Sequence, residues 1–450
     1  MGTTTSTPRA SKERWPVCEL TGERTGLSSP KPSSRVTLPA VRHLLPIVLV
    51  IFGLVGHVMV QAAPAWKKVH TSTGGRDFAS YYYAAEVAID GGDPYDTGRM
   101  AVLAKKEGFR KSVHPFFYPP PFLLTVAWVG PVSLQTAYEL WFFLNEGLLF
   151  LCLGLGVRAF GVPIWAAALL LWTWSPIPDN AWMGQANLLA LAPALAGLAI
   201  APKRPLLGGA LVGVAAMLKM SPALFLGWWL LQQNWRAVGA AVVTSVGTSL
   251  LAVPLVGFEA QKRFYVDILP GFSKGDYHGL TVPISLEANH SVGDLADRFF
   301  PGPGQLLSDG AQRMMSAVLL ALLILVAWRA RTAKNPAAIL GALTVLMVVT
   351  PVYTYEHHLV FLVVAMGTAA GGASQEMRTL AAAGRWAPAC LWGLALALTW
   401  FFLAWPLPWL REVQAALPSS VQWMTRESKT MAEAGLFVLC LVLAGRRVRG

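Results

Sequence analysis

The sequence predicts an all-α fold, a polytopic transmembrane helical bundle that crosses the bilayer about ten times or more. Three observations predict it. Of the 450 residues, 54% are hydrophobic and only 13% are charged, where a soluble domain carries about 25% charged residues. The apolar residues come in long runs: His43 to Ala63 and Trp386 to Trp405 contain no Asp, Glu, Lys or Arg, and Met314 to Trp328 is a shorter run of the same kind. A helix needs roughly 20 apolar residues to cross the hydrocarbon core. Finally, the basic residues gather in short connections, at Lys203-Arg204, Arg236, Arg329 with Arg331 and Lys334, Arg378 with Arg385, and Arg446-Arg447 with Arg449. That is the positive-inside pattern and places those connections in the cytoplasm.

The same distribution accounts for the net charge of +12 without nucleic acid as a partner. Trp and Pro, 18 and 31 in number, suit a bilayer, where Trp sits at interfaces and spans tolerate Pro. Cys18, Cys152, Cys390 and Cys440 form no CxxC pair, and three lie in apolar stretches, as small packed hydrophobes do.

In chain order, residues 1–42 are rich in Ser, Thr and Pro and read as a disordered basic cytoplasmic tail; residues 43–450 form the membrane domain. The first span follows the tail. Gln61 to Ala65 resembles a signal-peptidase site, but the leader before the apolar core is too long for a usual signal peptide, so an uncleaved span is expected. Residues 64–115 form a first outside loop. Within it Phe78, Tyr82, Ala85 and Ile89 recur at helical spacing, which predicts an amphipathic helix over 78–89 lying on the membrane surface, with Asp77 at its N-cap. Asp90 to Asp96 is turn chemistry. Residues 116–157 have room for two spans, whereas charge alternation asks for one or three; a short or re-entrant helix fits there. Further outside loops are expected at 257–310 and 406–430. No sequence repeat of 20–50 residues is present.

Several polar residues stand where chemistry is possible. Asp77 is either a helix cap or a general base at the lipid–water boundary; one carboxylate oxygen can do each. Gln185 and Asn187 interrupt apolar runs, where unpaired amides are costly; they brace helices or touch a polar ligand. Lys219 stands in an apolar stretch, either snorkelling to a nearby surface or holding a phosphate. Glu356-His357-His358 opens an apolar run. Adjacent histidines point about 100° apart on a helix and make a poor bidentate metal site, but an imidazole can bind phosphate or guide a hydroxyl. Walker A, GxGxxG and HExxH motifs are absent from the sequence, which weighs against nucleotide-driven pumps and zinc peptidases.

The order of these motifs resembles glycosyltransferase family 87, membrane enzymes of the GT-C type. The likeness runs through Asp77-Phe78 with Tyr82 to Ala85, Gly91 to Tyr95, Tyr118-Pro119-Pro120, Ala137 to Trp141 with Asn145, Gly184-Gln185 with Asn187, Leu218-Lys219 with Pro222, Asn289 with Ser291, and Glu356-His357-His358. A Lys-Pro-Tyr-Pro-like run of the family stands here as Lys219 to Pro222 with Met220 and Ser221 in the middle. The resemblance implies a multi-pass protein of a bacterial-type plasma membrane with its site facing outside. It implies transfer of a mannose-like hexose from a polyprenyl-phosphate donor to a glycolipid or glycan acceptor, with inversion and no cofactor, although a divalent metal is not excluded. Asp77 is then the base; Arg76, Lys219, His357 and His358 answer the donor phosphate; Tyr82, Tyr118, Gln185, Asn187, Asn289 and Glu356 contact substrate; no metal ligand is expected. Two other classes compete: a transporter or flippase of a lipid-linked sugar, which usually shows inverted repeats and broken helices, and a non-catalytic glycolipid-binding protein, which does not need Asp77.

Overall fold

The computed structural model describes residues 39–70, 75–109, 111–280 and 282–446, with side chains from Leu44 onward. Among them every regular element is a helix. The tail expected at 1–42 lies outside the described residues up to residue 38; helical backbone begins at Pro39.

Six helices are long and apolar enough to cross a membrane: Leu44–Val69, Leu134–Ala159, Trp235–Val256, Asp309–Ala330, Glu356–Ala382 and Trp386–Ala404. A seventh candidate is the broken pair Pro176–Met183 and Asn187–Ile200, bent by 117° at its junction. Ten or more crossings would also require the shorter apolar helices Ile164–Thr173, Pro205–Leu218, Ser221–Leu231 and Pro336–Val349. Between 116 and 157 the chain makes only short 3₁₀ turns at Pro120–Thr125 and Ala127–Val129 before the single long helix Leu134–Ala159. Of the three counts left open there, the structure has one crossing-length helix.

Local chemistry sets the helix ends. Ser133, Asn234 and Ser308 each accept a hydrogen bond from a backbone N–H of the first turn of Leu134–Ala159, Trp235–Val256 and Asp309–Ala330, and so satisfy a donor that the helix itself cannot. Small residues set the packing. A Cβ on Gly209 would lie 2.1 Å from the Ala237 carbonyl oxygen, and one on Gly213 would lie 2.5 Å from that of Ala241. Pro205–Leu218 and Trp235–Val256 therefore touch backbone to backbone along a G-x-x-x-G seam, as membrane helices do where dispersion rather than water drives association. Glu356–Ala382 is 78% buried and Asp309–Ala330 is 11% buried, so the former is central and the latter peripheral. His57 Nε2, on the first crossing helix, lies 2.6 Å from Glu146 of Leu134–Ala159.

The helix of the first loop spans Arg76–Ile89, and 11 of its 14 residues are buried. It is not an amphipathic helix on the membrane surface. Phe78 stacks on Tyr138 and meets Trp141, and Tyr83 donates to Glu107; the side that periodicity assigned to water is covered by protein. Its N-cap is Gly75, in the left-handed region at φ 75°. Asp77 is therefore in the first turn and is not the cap.

Candidate active site

A cavity of about 600 Å³ opens where the helix Arg76–Ile89, the junction of the broken pair and the start of Glu356–Ala382 meet. Asp77 is on its wall, and the backbone explains how it gets there. A side chain on Gly75 would strike the Tyr138 ring at 2.8 Å, and one on Gly184 would strike Phe78 Cβ at 2.5 Å. Both glycines also have positive φ, 75° and 71°, which favours glycine. Gly75 N–H and Tyr138 O–H both donate to the Trp182 carbonyl. The start of the first-loop helix is thus pressed onto the break in the other pair, which sets Asp77 against Gln185.

Both oxygens of Asp77 are engaged. His114 Nδ1–H donates to Oδ1 at 2.9 Å and Gln185 Nε2–H to Oδ2 at 2.7 Å. Gln185 is oriented in turn, since its Oε1 accepts from Tyr118 O–H at 3.2 Å while Tyr81 O–H donates to Tyr118 at 2.8 Å. Its Nε2 also lies 3.1 Å from His357 Nε2, which makes that nitrogen the acceptor. Burial alone raises the Asp77 value, but the His114 hydrogen bond, with the imidazole of His357 nearby and the Gln185 hydrogen bond, outweighs it, and the carboxyl is held below the ordinary range. The group is a carboxylate at neutral pH, and its place in the first helical turn favours that charge.

Four basic side chains stand on the same cavity. Arg76, Lys219, His357 and His358 all line it. Lys219 Nζ donates to Asn187 Oδ1 at 2.5 Å, and its charge lies 5.8 Å from the Tyr118 ring and 5.6 Å from that of Phe361. His358 Nδ1 accepts from the Tyr355 N–H at 3.0 Å.

Four residues expected to contact substrate do other work. Tyr82 donates to the Val132 carbonyl at 2.8 Å and is off the cavity. Five residues after Asp77 it points about 140° away from it, whereas Tyr81, one turn on, shares its face. Asn289 is pinned through Nδ2 to the Ile284 and Val352 carbonyls and through Oδ1 to the Thr354 N–H, so it clamps a loop. Asn187 is fully buried behind Lys219. Glu356 does reach the cavity wall, but its oxygens go to His290 Nε2 at 2.7 Å and to the fully buried Lys429 Nζ at 2.9 Å, which makes it a strut between elements. Tyr118 and Gln185 are at the cavity, as expected.

Sequence reasoning missed His114, which sits in the irregular stretch before Pro115, where no periodicity assigns a face. It also missed Asp179, a second carboxylate on the wall, bonded to Trp182 Nε1 at 2.8 Å. Asp90 and Asp93 are not on this cavity; Asp93 pairs with Arg263. Among the described residues no three His, Cys, Asp or Glu side chains converge as a metal site.

Comparison with known proteins gives two matches. The family model described as Glycosyltransferase family 87 matches residues 116–354. A curated relative from Mycobacterium tuberculosis (strain CDC 1551 / Oshkosh), a polyprenol-phosphate-mannose-dependent alpha-(1-2)-phosphatidylinositol pentamannoside mannosyltransferase, is 26% identical over 361 residues, covering 78% of each chain. No solved structure matches.

Proposed function

This chain belongs to glycosyltransferase family 87, and from that premise we propose that it moves a mannose-like hexose from a polyprenyl-phosphate donor to a glycolipid or glycan acceptor outside the membrane. The observation that carries the reading is Asp77: a buried carboxylate, fixed by His114 and Gln185, on a cavity whose wall also holds Arg76, Lys219, His357 and His358.

In the proposed reaction the acceptor hydroxyl gives its proton to Asp77. Its oxygen forms a bond to the anomeric carbon while the bond from that carbon to the phosphate oxygen breaks. The polyprenyl phosphate leaves with the electron pair, and Arg76, Lys219, His357 and His358 answer its charge in a site of low dielectric. A single displacement inverts the anomeric centre. The donor class comes from the named relative, which is polyprenol-phosphate-mannose-dependent. Balanced in this way, the reaction calls on no cofactor.

The orientation rests on where the cavity lies. Part of its wall, including Lys68, Asp77, His114, Phe272, Leu286 and Leu407, comes from the loops at 64–115, 257–310 and 406–430 that the sequence reading puts outside. On this reading the protein sits in a bacterial-type plasma membrane with its site facing outward. Intact cells carrying single cysteines should label at Asp90→Cys and not at Lys334→Cys with an impermeant reagent; the opposite pattern reverses the orientation.

The test of function is turnover of labelled polyprenyl-phosphate mannose by the purified protein, with and without a chelator. Release of polyprenyl phosphate together with label in an acceptor glycolipid or glycan is the expected result. Donor that is moved across a vesicle bilayer but never cleaved would instead make the protein a transporter of a lipid-linked sugar.

A further inference from the structure

Three buried asparagines form a chain of hydrogen bonds from one helix to Lys219. Asn145 Nδ2–H donates to the Trp141 carbonyl at 3.0 Å, and Asn145 Oδ1 accepts from Asn180 Nδ2 at 3.0 Å. Asn180 Oδ1 accepts from Asn187 Nδ2 at 3.0 Å, and that same nitrogen donates to the His357 carbonyl at 2.9 Å. Asn187 Oδ1 is left for Lys219. All three asparagines are at most 1% exposed.

The sense of this chain is forced. A backbone carbonyl only accepts, so Trp141 requires the nitrogen of Asn145 and turns its oxygen toward Asn180. The same argument passes link by link, and the His357 carbonyl imposes it a second time at Asn187. Turning any one amide over sets N–H against N–H in a place without water, where an unmade hydrogen bond is expensive. Reaching Lys219, the chain presents an oxygen, and a neutral one. The amide holds the ammonium in place without cancelling its charge, and takes one of its three N–H groups.

We infer that Asn180 is a positioning residue for the donor: with Asn145 it fixes the Asn187 amide oxygen-first and so sets the place of Lys219, the group that meets the lipid phosphate. This rests on the function proposed above. Asn180 acts through Asn187 and Lys219 and touches no substrate itself.

The test is steady-state kinetics of the purified full chain with polyprenyl-phosphate mannose, with thermal unfolding alongside. Asn180→Leu keeps the approximate shape and removes the link. It should raise donor KM about tenfold to a hundredfold, the range for one hydrogen bond to a charged group, with kcat within about threefold and acceptor KM unchanged. In a Lys219→Met background the same substitution should add less than about twofold, because the two residues act on one interaction. Asn145→Asp, kept neutral by burial, donates its O–H to the Trp141 carbonyl and still accepts from Asn180, so donor KM should stay near wild type, whereas Asn145→Leu should raise it; this pair decides the matter if Asn180→Leu does not fold. A full effect of Asn180→Leu persisting without Lys219 overturns the inference. So does a wild-type donor KM in Asn180→Leu or Lys219→Met, or equal behaviour of the two Asn145 variants. A wild-type protein that does not use the donor at all overturns the function reading instead.

Discussion

Two buried carboxylates stand on the wall of the same cavity, each bonded to a histidine, and their environments give them opposite roles. Asp77 is held by His114 and by a neutral amide, Gln185, so no fixed cation opposes its charge in direct contact. Glu356 is held by His290 and by Lys429, an ammonium with no exposure at all. A carboxylate in contact with a buried ammonium is neutralised and poorly suited to accept a proton, and removing either partner strands the other. A carboxylate with no fixed cation against it stays available to an acceptor hydroxyl. A histidine beside an acid therefore does not mark a base; the second partner decides. Lys219 and Lys429 repeat the contrast with the sign reversed: one faces a neutral amide oxygen and the other a carboxylate.

The comparison breaks most sharply at Asp77. Asp77→Asn should lower turnover by about 10² to 10⁴, the range for loss of a general base, in a protein that still folds, because Gly75 is the cap. The Asn amide can keep its oxygen toward Gln185 Nε2–H if its NH₂ meets His114 Nδ1 as acceptor in the other tautomer. A folded variant with near-normal turnover would reduce Asp77 to a partner of His114 and shift attention to Asp179.

Glu356 should fail in the other way. Lys429→Met leaves Glu356 without its ammonium and should destabilise the fold by roughly 3–5 kcal/mol, while the double variant Glu356→Gln with Lys429→Met recovers much of that loss. Thermal unfolding in detergent reads both. Single and double variants that melt alike would remove the strut.

Smaller effects are expected at the groups that answer the donor phosphate. Lys219→Ala and His358→Ala should each raise donor KM by about tenfold, as for loss of one charge-assisted contact. Donor dependence unchanged in both takes them out of the site.

The smallest effect is a shift in pH. The His114 bond is the largest influence lowering the Asp77 value against the rise caused by burial. A depressed carboxylate is charged above its folded value and loses base function as pH falls through it. In His114→Leu that value rises, so the acid limb of kcat/KM should move to higher pH. An unmoved limb would mean that another group sets it.

Much of this was legible in the sequence. Apolar runs and the placing of Lys and Arg define a helical membrane bundle by composition alone. Crossing counts were not legible, because helices such as Ile164–Thr173 and Pro205–Leu218 are short and the fold at Gly184-Gln185 turns one apolar run back on itself. Asp77, Arg76, Tyr118, Gln185, Lys219, His357 and His358 reach the cavity because each stands out against its neighbours as polar or aromatic at an element end. Tyr81 was legible in principle from its one-turn spacing to Asp77 within a run of three tyrosines. His114 and the Lys429 partnership were not: one lies on an aperiodic stretch, and the other joins residues that only tertiary packing brings together.

The Glu356–Lys429 pair also bears on how the protein is made. Roughly 70 residues separate the two, about 4 to 15 s of synthesis at the usual rate of 5–20 residues per second. During that interval Glu356 and His290 are already made and await the ammonium. The helix Ser428–Ala444 carries that ammonium fully buried, where a lone charge is unfavourable, and so it has one strongly preferred resting place and one register. The element made after all the others named here is thus directed to its seat by charge, and the strut behind Glu356 is complete only when it arrives.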